Sequence, residues 1–328
     1  MTKIRWAIPS LGLTQIVGWG SMFYAYGVLM QPMEIELQTT RSVVVGAYSL
    51  ALLISGCLST VAGAIIDKLG GRLLMGAGSL LASMMLALLA NVQSVTGLYL
   101  VWAGIGVAMS ATLYQSSFAV LTQICGSDYR RAITSLTLFG GFASTVFWPL
   151  TQALSEHFGW RQTWMIFSVA NLLLCLPIHA LLPKLSESIQ SESSSDPIKQ
   201  GLRAILRERS FLFLTSAVTF NALVFSAMSL HLMSILQSRG VSPSHAALIG
   251  ALIGPMQVLG RILESTIGRK ATSHKVGIVA MWLLPLGLAL LFAPKEWILI
   301  YAAFAALYGI SNLSLIHISE PTRPERIS

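Results

Sequence analysis

Charge is scarce in this chain. Lys, Arg, Asp and Glu together make up 10% of its 328 residues, whereas about a quarter of the residues in a soluble globular protein are charged. Hydrophobic residues make up 54% of the sequence. This balance excludes an ordinary water-soluble domain and indicates that lipid surrounds most of the chain.

Long apolar segments take the place of the missing charge. About 20 apolar residues in a helix cross the ~30 Å hydrocarbon layer of a membrane, and ten such segments occur without any Asp, Glu or Lys. They are continuously apolar, which favours helices over the short alternating strands of a membrane barrel. The predicted spans are residues 7–33, 43–66, 73–90, 97–124, 132–154, 163–182, 211–237, 246–263, 276–294 and 297–312. We therefore predict an all-α membrane protein whose main partner is the lipid bilayer.

The spans also lack the residues that chemistry inside a membrane would need. An embedded enzyme or a metal site requires His, Asp, Glu or Cys clustered at catalytic or ligand spacing, and the spans contain no such cluster. Cys57, Cys125 and Cys175 fall in two different spans and one connector, so a disulfide framework is not expected. We expect neither an enzyme nor a bound cofactor or metal.

The formal net charge of +8 comes mainly from basic residues in short connectors, where membrane topology explains them without a nucleic-acid partner. Counted over alternate connectors, one side carries 15 Lys and Arg, and the other carries only Arg41, Arg161, Arg239 and Lys295. The positive-inside rule then puts the amino terminus and the long middle connector in the cytoplasm. We expect a monomer in a bacterial-type cytoplasmic (inner) membrane.

A polar, serine-rich segment divides the spans into two groups. Residues 183–210 cannot bury enough apolar area to fold alone, and they separate six spans in residues 1–182 from four in residues 211–312. The segment 63–72, at the end of the second span, recurs at an offset of 197 as the segment 260–269, at the end of the eighth. Internal repeats are common in transporters. This one predicts two six-helix halves, with two further spans after the tenth.

The last residues depart from this pattern. Residues 313–328 resemble the translation of an adapter used in sequencing libraries, which predicts that they are not native. The alternative is a genuine polar tail. If the second half is incomplete, we expect this chain to insert into a membrane but not to transport.

Residues 63–72 resemble the signature loop of the major facilitator superfamily, Gly-x-x-x-Asp-Arg/Lys-x-Gly-x-Arg. Gly63 permits close helix approach, and Gly70 with Gly71 permits a tight turn. The motif positions and their repeat counterparts are Gly63, Asp67, Lys68, Gly70, Gly71, Arg72, Gly260, Glu264, Gly268 and Arg269. The resemblance implies two six-helix bundles, alternating access around a central site, and gating of the cytoplasmic side by this loop. A generic Asp-Gly turn is the alternative, but it does not account for the repetition at a fixed offset.

Arg261 is the one charged residue inside a predicted span. It could extend to the cytoplasmic surface or pair with Glu264. Residues 254–261 also resemble the eighth helix of the monocarboxylate and oxalate/formate exchanger branch of the superfamily. That resemblance implies that Arg261 binds the carboxylate of the substrate, for which a guanidinium is suited. The leading hypothesis is therefore a transporter of a small organic anion, such as a monocarboxylate.

Other polar and aromatic side chains in the spans could line a cavity for a small-molecule substrate. The candidates beside Arg261 are Gln15, Trp19, Tyr24, Tyr114, Gln115, Trp148, Asn221, His231 and Gln257. Taken singly, each could instead serve helix packing or interhelical hydrogen bonding. For His231 the functional alternative is a proton carrier.

Two other functions fit the sequence. Efflux of amphipathic compounds agrees with the aromatic-rich first span, although the fifth span lacks the Gly-Pro-x-x-Gly-Gly pattern of drug/proton antiporters. A non-transporting receptor of the same fold would share all these features. A measurement of solute flux would separate them.

Overall fold

Every regular element that the structure describes is a helix. The structure is a computed structural model that describes residues 2–183, 208–266, 273–292 and 298–311. Its α-helices are α1 Thr2–Trp19, α2 Ala25–Glu36, α3 Arg41–Leu69, α4 Gly71–Ala90, α5 Val95–Thr112, α6 Tyr114–Cys125, α7 Tyr129–Gly141, α8 Ala143–Ala170, α9 Leu176–Ala180, α10 Arg209–Ser238, α11 Pro243–Ala251, α12 Ile253–Thr266, α13 Ser273–Leu290 and α14 Ile298–Ser311. Two π-helices, Gly20–Tyr24 and Asn171–Cys175, and one 3₁₀-helix, Gly126–Asp128, lie among them.

Six helical segments within the described ranges are long and apolar enough to cross a membrane. Five of them match the predicted second, third, fourth, seventh and eighth spans, and the 52-residue segment Tyr129–Ala180 holds the fifth and sixth. The first predicted span consists of α1, a π-helix and α2 in succession, while the ninth and tenth are α13 and α14. The prediction of an all-α membrane protein is confirmed.

Two glycines make the turns that separate neighbouring spans. Gly70, between α3 and α4, has φ 80° and ψ 158°, and its N–H donates to Ile66 O at 2.8 Å. Gly159 has φ 79° inside α8, which is kinked there between the predicted fifth and sixth spans. Glycine adopts positive φ without the steric cost that a Cβ would impose. The turn predicted at Gly70 is present.

The contacts divide the chain into two units, Met1–Leu202 and Arg203–Ser328. In the first unit, α3 packs on α5, and α4 packs on α5 and α8. Helices α3 and α5 come very close at Gly106, where a Cβ would lie 2.9 Å from Ala51 Cα. Small residues at such a contact let two membrane helices pack backbone to backbone.

Buried hydrogen bonds join the sixth span to the first and the third. Asn171 Nδ2 donates to Ser21 Oγ at 2.9 Å. The imidazole of His179 lies between two hydroxyls, with Nδ1 2.6 Å from Ser79 Oγ and Nε2 3.0 Å from Thr14 Oγ1. A polar group in apolar surroundings is costly unless it is bonded. These pairs therefore favour one register of the three helices.

The second unit is built around α14. This helix packs on both α12 and α13, and α10 packs on α11. At Gly309 of α14, a Cβ would lie 2.6 Å from Met256 Cβ and 2.7 Å from Ile253 O. The absence of a side chain at Gly309 thus lets α14 lie directly against α12, the helix that carries Arg261.

Candidate substrate site and gating loop

The first span is distorted where its candidate residues lie. The π-helix Gly20–Tyr24 follows α1 directly, and all five of its residues are buried. At Gly20 the backbone lies against the ring of Phe147, so that a Cβ would collide with it. A π-helix inserts an extra residue into the turn and is often found at functional sites. Here it interrupts the regular α-helix directly after Trp19.

Gln15 links the first span to a break in the fourth. Leu113, between α5 and α6, is extended, with φ −82° and ψ −163°, so the helical ladder is interrupted there. Gln15 is fully buried, and its Nε2 donates to Thr112 O at 2.9 Å and to Ser117 Oγ at 2.8 Å. The amide thus bonds one of the carbonyls that the break releases, and Ser116 Oγ bonds another, Ser110 O, at 2.7 Å. Interhelical bonding, one of the roles considered for Gln15, is present.

An aromatic row extends from this break. The rings of Trp19 and Tyr114 have centroids 5.1 Å apart, and Tyr114 stacks on Phe118 at 5.2 Å. Trp19 and Tyr114 are half-buried, whereas Gln115 is exposed. The structure therefore brings Gln15, Trp19 and Tyr114 together and leaves the Gln115 side chain outside the buried part of this group.

Tyr24 and Trp148 form a second pair. Trp148 Nε1 donates to Tyr24 O at 3.1 Å, and the two rings meet edge to face at 5.2 Å. Trp148 is buried, with 1% of its surface exposed. Its indole N–H thus bonds a carbonyl of the π-helix, which gives this residue a role in holding the distorted segment against α8.

Four candidates lie in the second unit, on two helices. Asn221 and His231 are half-buried on α10. Gln257 and Arg261 are four residues apart on α12 and therefore share a face of that helix. Gln257 is buried, and Arg261 is half-buried with its Nη1 atom enclosed.

The loop of residues 63–72 has a partner that the sequence did not indicate. Gln123 Nε2, near the end of α6, donates to Asp67 Oδ1 and to Ile66 O, both at 3.2 Å. Lys68 and Arg72 are exposed. The only sequence signal for Gln123 is a polar residue at the inner end of an apolar span, which many solvated positions share.

The glycines of the loop play different parts. Gly71 is buried against Val120. Among the described residues, no atom lies within 4 Å of the place that a Cβ of Gly63 would take. The close approach expected at Gly63 thus occurs instead at Ala51, on the same helix, where α5 supplies Gly106 as a facing glycine.

The repeat of the loop is only partly described. Gly260 is buried on α12, and Glu264 belongs to the same helix. Gly268 and Arg269 lie outside the described residues. The predicted equivalence of the two loops therefore stays a prediction.

Sequence reasoning missed His179. It is 1% exposed and, as described above, bonded on both ring nitrogens. A histidine in an apolar span indicates a possible functional residue, but only His231 was among the candidates. The partners of His179 come from α1 and α4, which are 165 and 100 residues away along the chain, so the sequence could not assign them.

A charged cluster lies at the other end of the first span. Glu36 accepts from Arg161 Nε at 2.8 Å and from Trp160 Nε1 at 2.5 Å, while Arg161 Nη1 donates to Ala90 O at 2.8 Å. These bonds from Arg161 and Trp160 lower the pKa of the Glu36 carboxyl from its usual value. A second ion pair joins Arg41 Nε and Glu34 Oε2 at 3.1 Å. Within the described ranges, no group of three or more His, Cys, Asp and Glu side chains could hold a metal ion.

The sequence matches a family model, and the fold matches solved structures. The sequence model of the Major Facilitator Superfamily matches residues 11–321. Monocarboxylate transporter 13 of Rattus norvegicus is 27% identical over 274 residues, which are 82% of this chain and 62% of the relative. The MFS-type transporter YcxA of Bacillus subtilis (strain 168) is 22% identical over 329 residues, covering 96% of this chain and 78% of YcxA.

The chain therefore spans less than two thirds of the length of that rat transporter. Among solved structures, the nucleoside transporter NupG superposes with a TM-score of 0.77 at 16% identity, covering 98% of this chain and 83% of NupG. A bacterial homologue of the human lysosomal transporter Spinster, in an inward-facing and unoccupied conformation, gives a TM-score of 0.73 at 16% identity, covering 94% of this chain and 74% of the homologue. At this identity the likeness is one of fold.

Proposed function

Because the chain belongs to the major facilitator superfamily, we propose that it carries a small organic anion of the monocarboxylate kind by alternating access of its two halves. Family membership and the relatives support an integral membrane transporter. The solute class, the inner-membrane location with a cytoplasmic amino terminus, the monomeric state and the absence of enzymatic activity belong to the proposal.

The proposed solute class is based on the position of Arg261. A guanidinium stays charged at any physiological pH and forms a two-pronged bond with a carboxylate. Arg261 is half-buried on α12 with Nη1 enclosed, so its charge is held partly away from water. Ionisable side chains in such positions commonly mark the path of a substrate or ion. The relatives named monocarboxylate transporters support the same class.

The remaining candidates are proposed to line the path of the solute within their own units. Polar groups at a few positions and aromatic faces elsewhere are the usual lining of a small-molecule site. Asp67 would act in the gate on the cytoplasmic side. The hydrogen bond from Gln123 supports this role, because it holds the carboxylate at the end of α3 in a defined direction.

Uptake of labelled monocarboxylates into proteoliposomes that contain the full-length gene product tests the proposal. Arg261→Lys keeps the charge but loses the fork of the guanidinium, so we expect KM to rise by roughly tenfold or more, the effect of one charge-assisted hydrogen bond. Arg261→Ala should abolish saturable uptake. Arg209→Lys, at an exposed position on α10, is the matched control and should leave uptake unchanged.

Glu264→Gln separates binding from pairing within α12. If Arg261 serves only to pair with Glu264, Arg261→Ala and Glu264→Gln should reduce the amount of folded protein equally. Uptake per folded molecule should then stay constant. Unchanged uptake in both Arg261 variants would remove the arginine from the proposal. If the uncharged amides of the same acids are taken up equally well, the proposal that the solute is an anion is wrong.

A further inference from the structure

The two π-helices that the structure describes are joined by a side-chain hydrogen bond within the first unit. Asn171 begins the π-helix Asn171–Cys175 of the sixth span, and its Nδ2 donates to Ser21 Oγ, in the π-helix Gly20–Tyr24 of the first span, at 2.9 Å. Both residues are buried, with 2% and 0% of their surfaces exposed. Residues 150 apart in the sequence therefore connect the two distorted segments.

Each π-helix contains a backbone bond that an α-helix lacks. The N–H of Ala25 donates to Gly20 O. The N–H of Leu176 donates to Asn171 O. Both bonds join residues five apart, whereas the bonds of an α-helix join residues four apart. If such a turn became regular α-helix, the residues beyond it would rotate by about 100° around the helix axis, the angle of one α-helical residue.

A continuous chain of hydrogen bonds connects the backbones of the two spans. The amide nitrogen of Asn171 carries two hydrogens, and it donates to Phe167 O, four residues back, as well as to Ser21 Oγ, both at 2.9 Å. The Ser21 hydroxyl in turn donates to Val17 O, also four residues back, at 2.7 Å. Every polar hydrogen of the two side chains is used. Because lipid offers no bond in exchange, breaking the middle bond would leave a buried donor of Asn171 unbonded.

Two aromatic residues of α8 also hold the π-helix of the first span. Trp148 Nε1 donates to the carbonyl of its last residue, Tyr24, at 3.1 Å. The Phe147 ring lies against the backbone of Gly20, the first residue. The same ring has its centroid 5.1 Å from that of Phe167, whose carbonyl belongs to the chain of bonds. The first span is thus held at both ends of its π-helix.

We propose that Asn171 is a positioning residue: through Ser21 it couples the two π-helices, so that they form and relax as one element and fix the directions of Trp19 and Tyr24. Trp19 directly precedes the π-helix of the first span, and Tyr24 ends it. A change in the turn between them would therefore move one ring relative to the other. The part of the inference that concerns these two rings rests on the proposed function, in which they line the path of the solute, whereas the coupling does not.

Amide hydrogen exchange of the purified full chain tests the coupling without any solute. Ser21→Ala removes the acceptor, and Asn171→Leu removes the donor at nearly constant volume. We expect each variant to exchange roughly threefold faster than the wild type in both segments, residues 20–25 and 171–176, the effect of one hydrogen bond between membrane helices on local opening. A rise confined to the substituted segment, or no rise in either, would overturn the inference. If Asn171→Leu does not fold, Ser21→Ala decides alone.

Ser168→Ala is the matched control. Ser168 lies three residues before Asn171, is buried, and donates through Oγ to Ser83 O in the third span at 2.7 Å. Its loss should lower Tm about as much as Ser21→Ala does but leave exchange in residues 20–25 unchanged. Equal acceleration there in the control would trace the effect to general loosening and overturn the coupling. Asn171→Gln keeps both amide hydrogens, so it should exchange more slowly than Asn171→Leu in both segments.

Uptake kinetics test the positioning. Per folded molecule, we expect Ser21→Ala, Asn171→Leu and the double variant to raise KM by the same factor, roughly threefold, because all three break one bond. A residue with only a structural role would reduce the amount of folded protein and leave KM unchanged, as Ser168→Ala should. Coupled exchange with an unchanged KM would overturn the positioning of Trp19 and Tyr24. Coupled exchange without uptake of any carboxylate would refute the proposed function and leave the coupling of the π-helices intact.

Discussion

Replacing His179 tests whether buried hydrogen bonds set the register of the first unit. The imidazole joins α9 to α1 through Thr14 and to α4 through Ser79, at 3.0 and 2.6 Å. His179→Leu keeps most of the volume and removes both bonds. Thr14 Oγ1 already donates to Leu11 O at 2.9 Å, so its donor stays satisfied in the variant.

The size of the effect follows from the number of bonds. A hydrogen bond between membrane helices contributes on average ~0.6 kcal/mol, and at most about 1.7. The loss of both bonds should therefore lower the free energy of unfolding by roughly 1–2 kcal/mol. For a folding unit of this size, each kcal/mol lowers Tm by about 2–4 °C. We expect Tm to fall by roughly 2–8 °C.

Thermal unfolding in detergent measures this, with His157→Leu as the control at an exposed position. The amide of an Asn side chain can take the place of Nδ1, and that of a Gln side chain can take the place of Nε2. Because the bond at Nδ1 is the shorter of the two, His179→Asn should be more stable than His179→Gln. A cycle with Thr14→Val should show coupling. A Tm of His179→Leu equal to or above that of the wild type would refute the reasoning.

Two further predictions concern packing and pH. Gly106→Ala puts a Cβ 2.9 Å from the Cα of Ala51, so it should destabilise the chain by about 1–3 kcal/mol; Gly56→Ala, where no described atom lies within 4 Å, should cost nothing in the same unfolding assay. Glu36 has a lowered pKa in the folded state, so its contribution is present above the unfolded value near pH 4.3 and is lost as the pH falls through the lowered one. Because the group is half exposed, we expect less than ~1 kcal/mol, and an acid stability profile that flattens in Glu36→Gln; an unchanged profile would contradict this.

The spans were predictable because membrane solvation is a local property of the chain. Every predicted span corresponds to helix in the described residues, since an apolar segment of about 20 residues satisfies its own backbone only as a helix. The turn at Gly70 was predictable for a similar reason, because the backbone angle there depends on the residue itself.

The interruptions inside the spans were not predictable. No residue that breaks helices accounts for the extended Leu113, and a glycine at position 20 does not by itself predict a π-helix. At the break, side chains bond two of the released carbonyls: Ser116 Oγ donates to Ser110 O, and Gln15, about 100 residues away in sequence, donates to Thr112 O. Sequence placed Gln15 among the candidates but could not name its partner.

Polar residues within the spans show the same division. The sequence listed Gln15 and Trp148 for their residue types, and the structure showed that each bonds a neighbouring helix. His179 and Gln123 were not selected from the sequence, and their partners lie on other helices. A residue type states which hydrogen bonds a side chain can make, but the fold decides which are made.

The amino-acid sequence by itself determined that this protein is embedded in a membrane, which segments are apolar enough to cross it, and that the chain turns at Gly70. It also determined the motif of one superfamily. These follow from composition and from the preferences of single residues, which add up along the chain. The tertiary structure alone decided the partners of Asp67 and His179, and the carbonyl that Gln15 bonds at the break. A hydrogen bond depends on two groups meeting within about 3 Å, and that distance is set only when the helices pack.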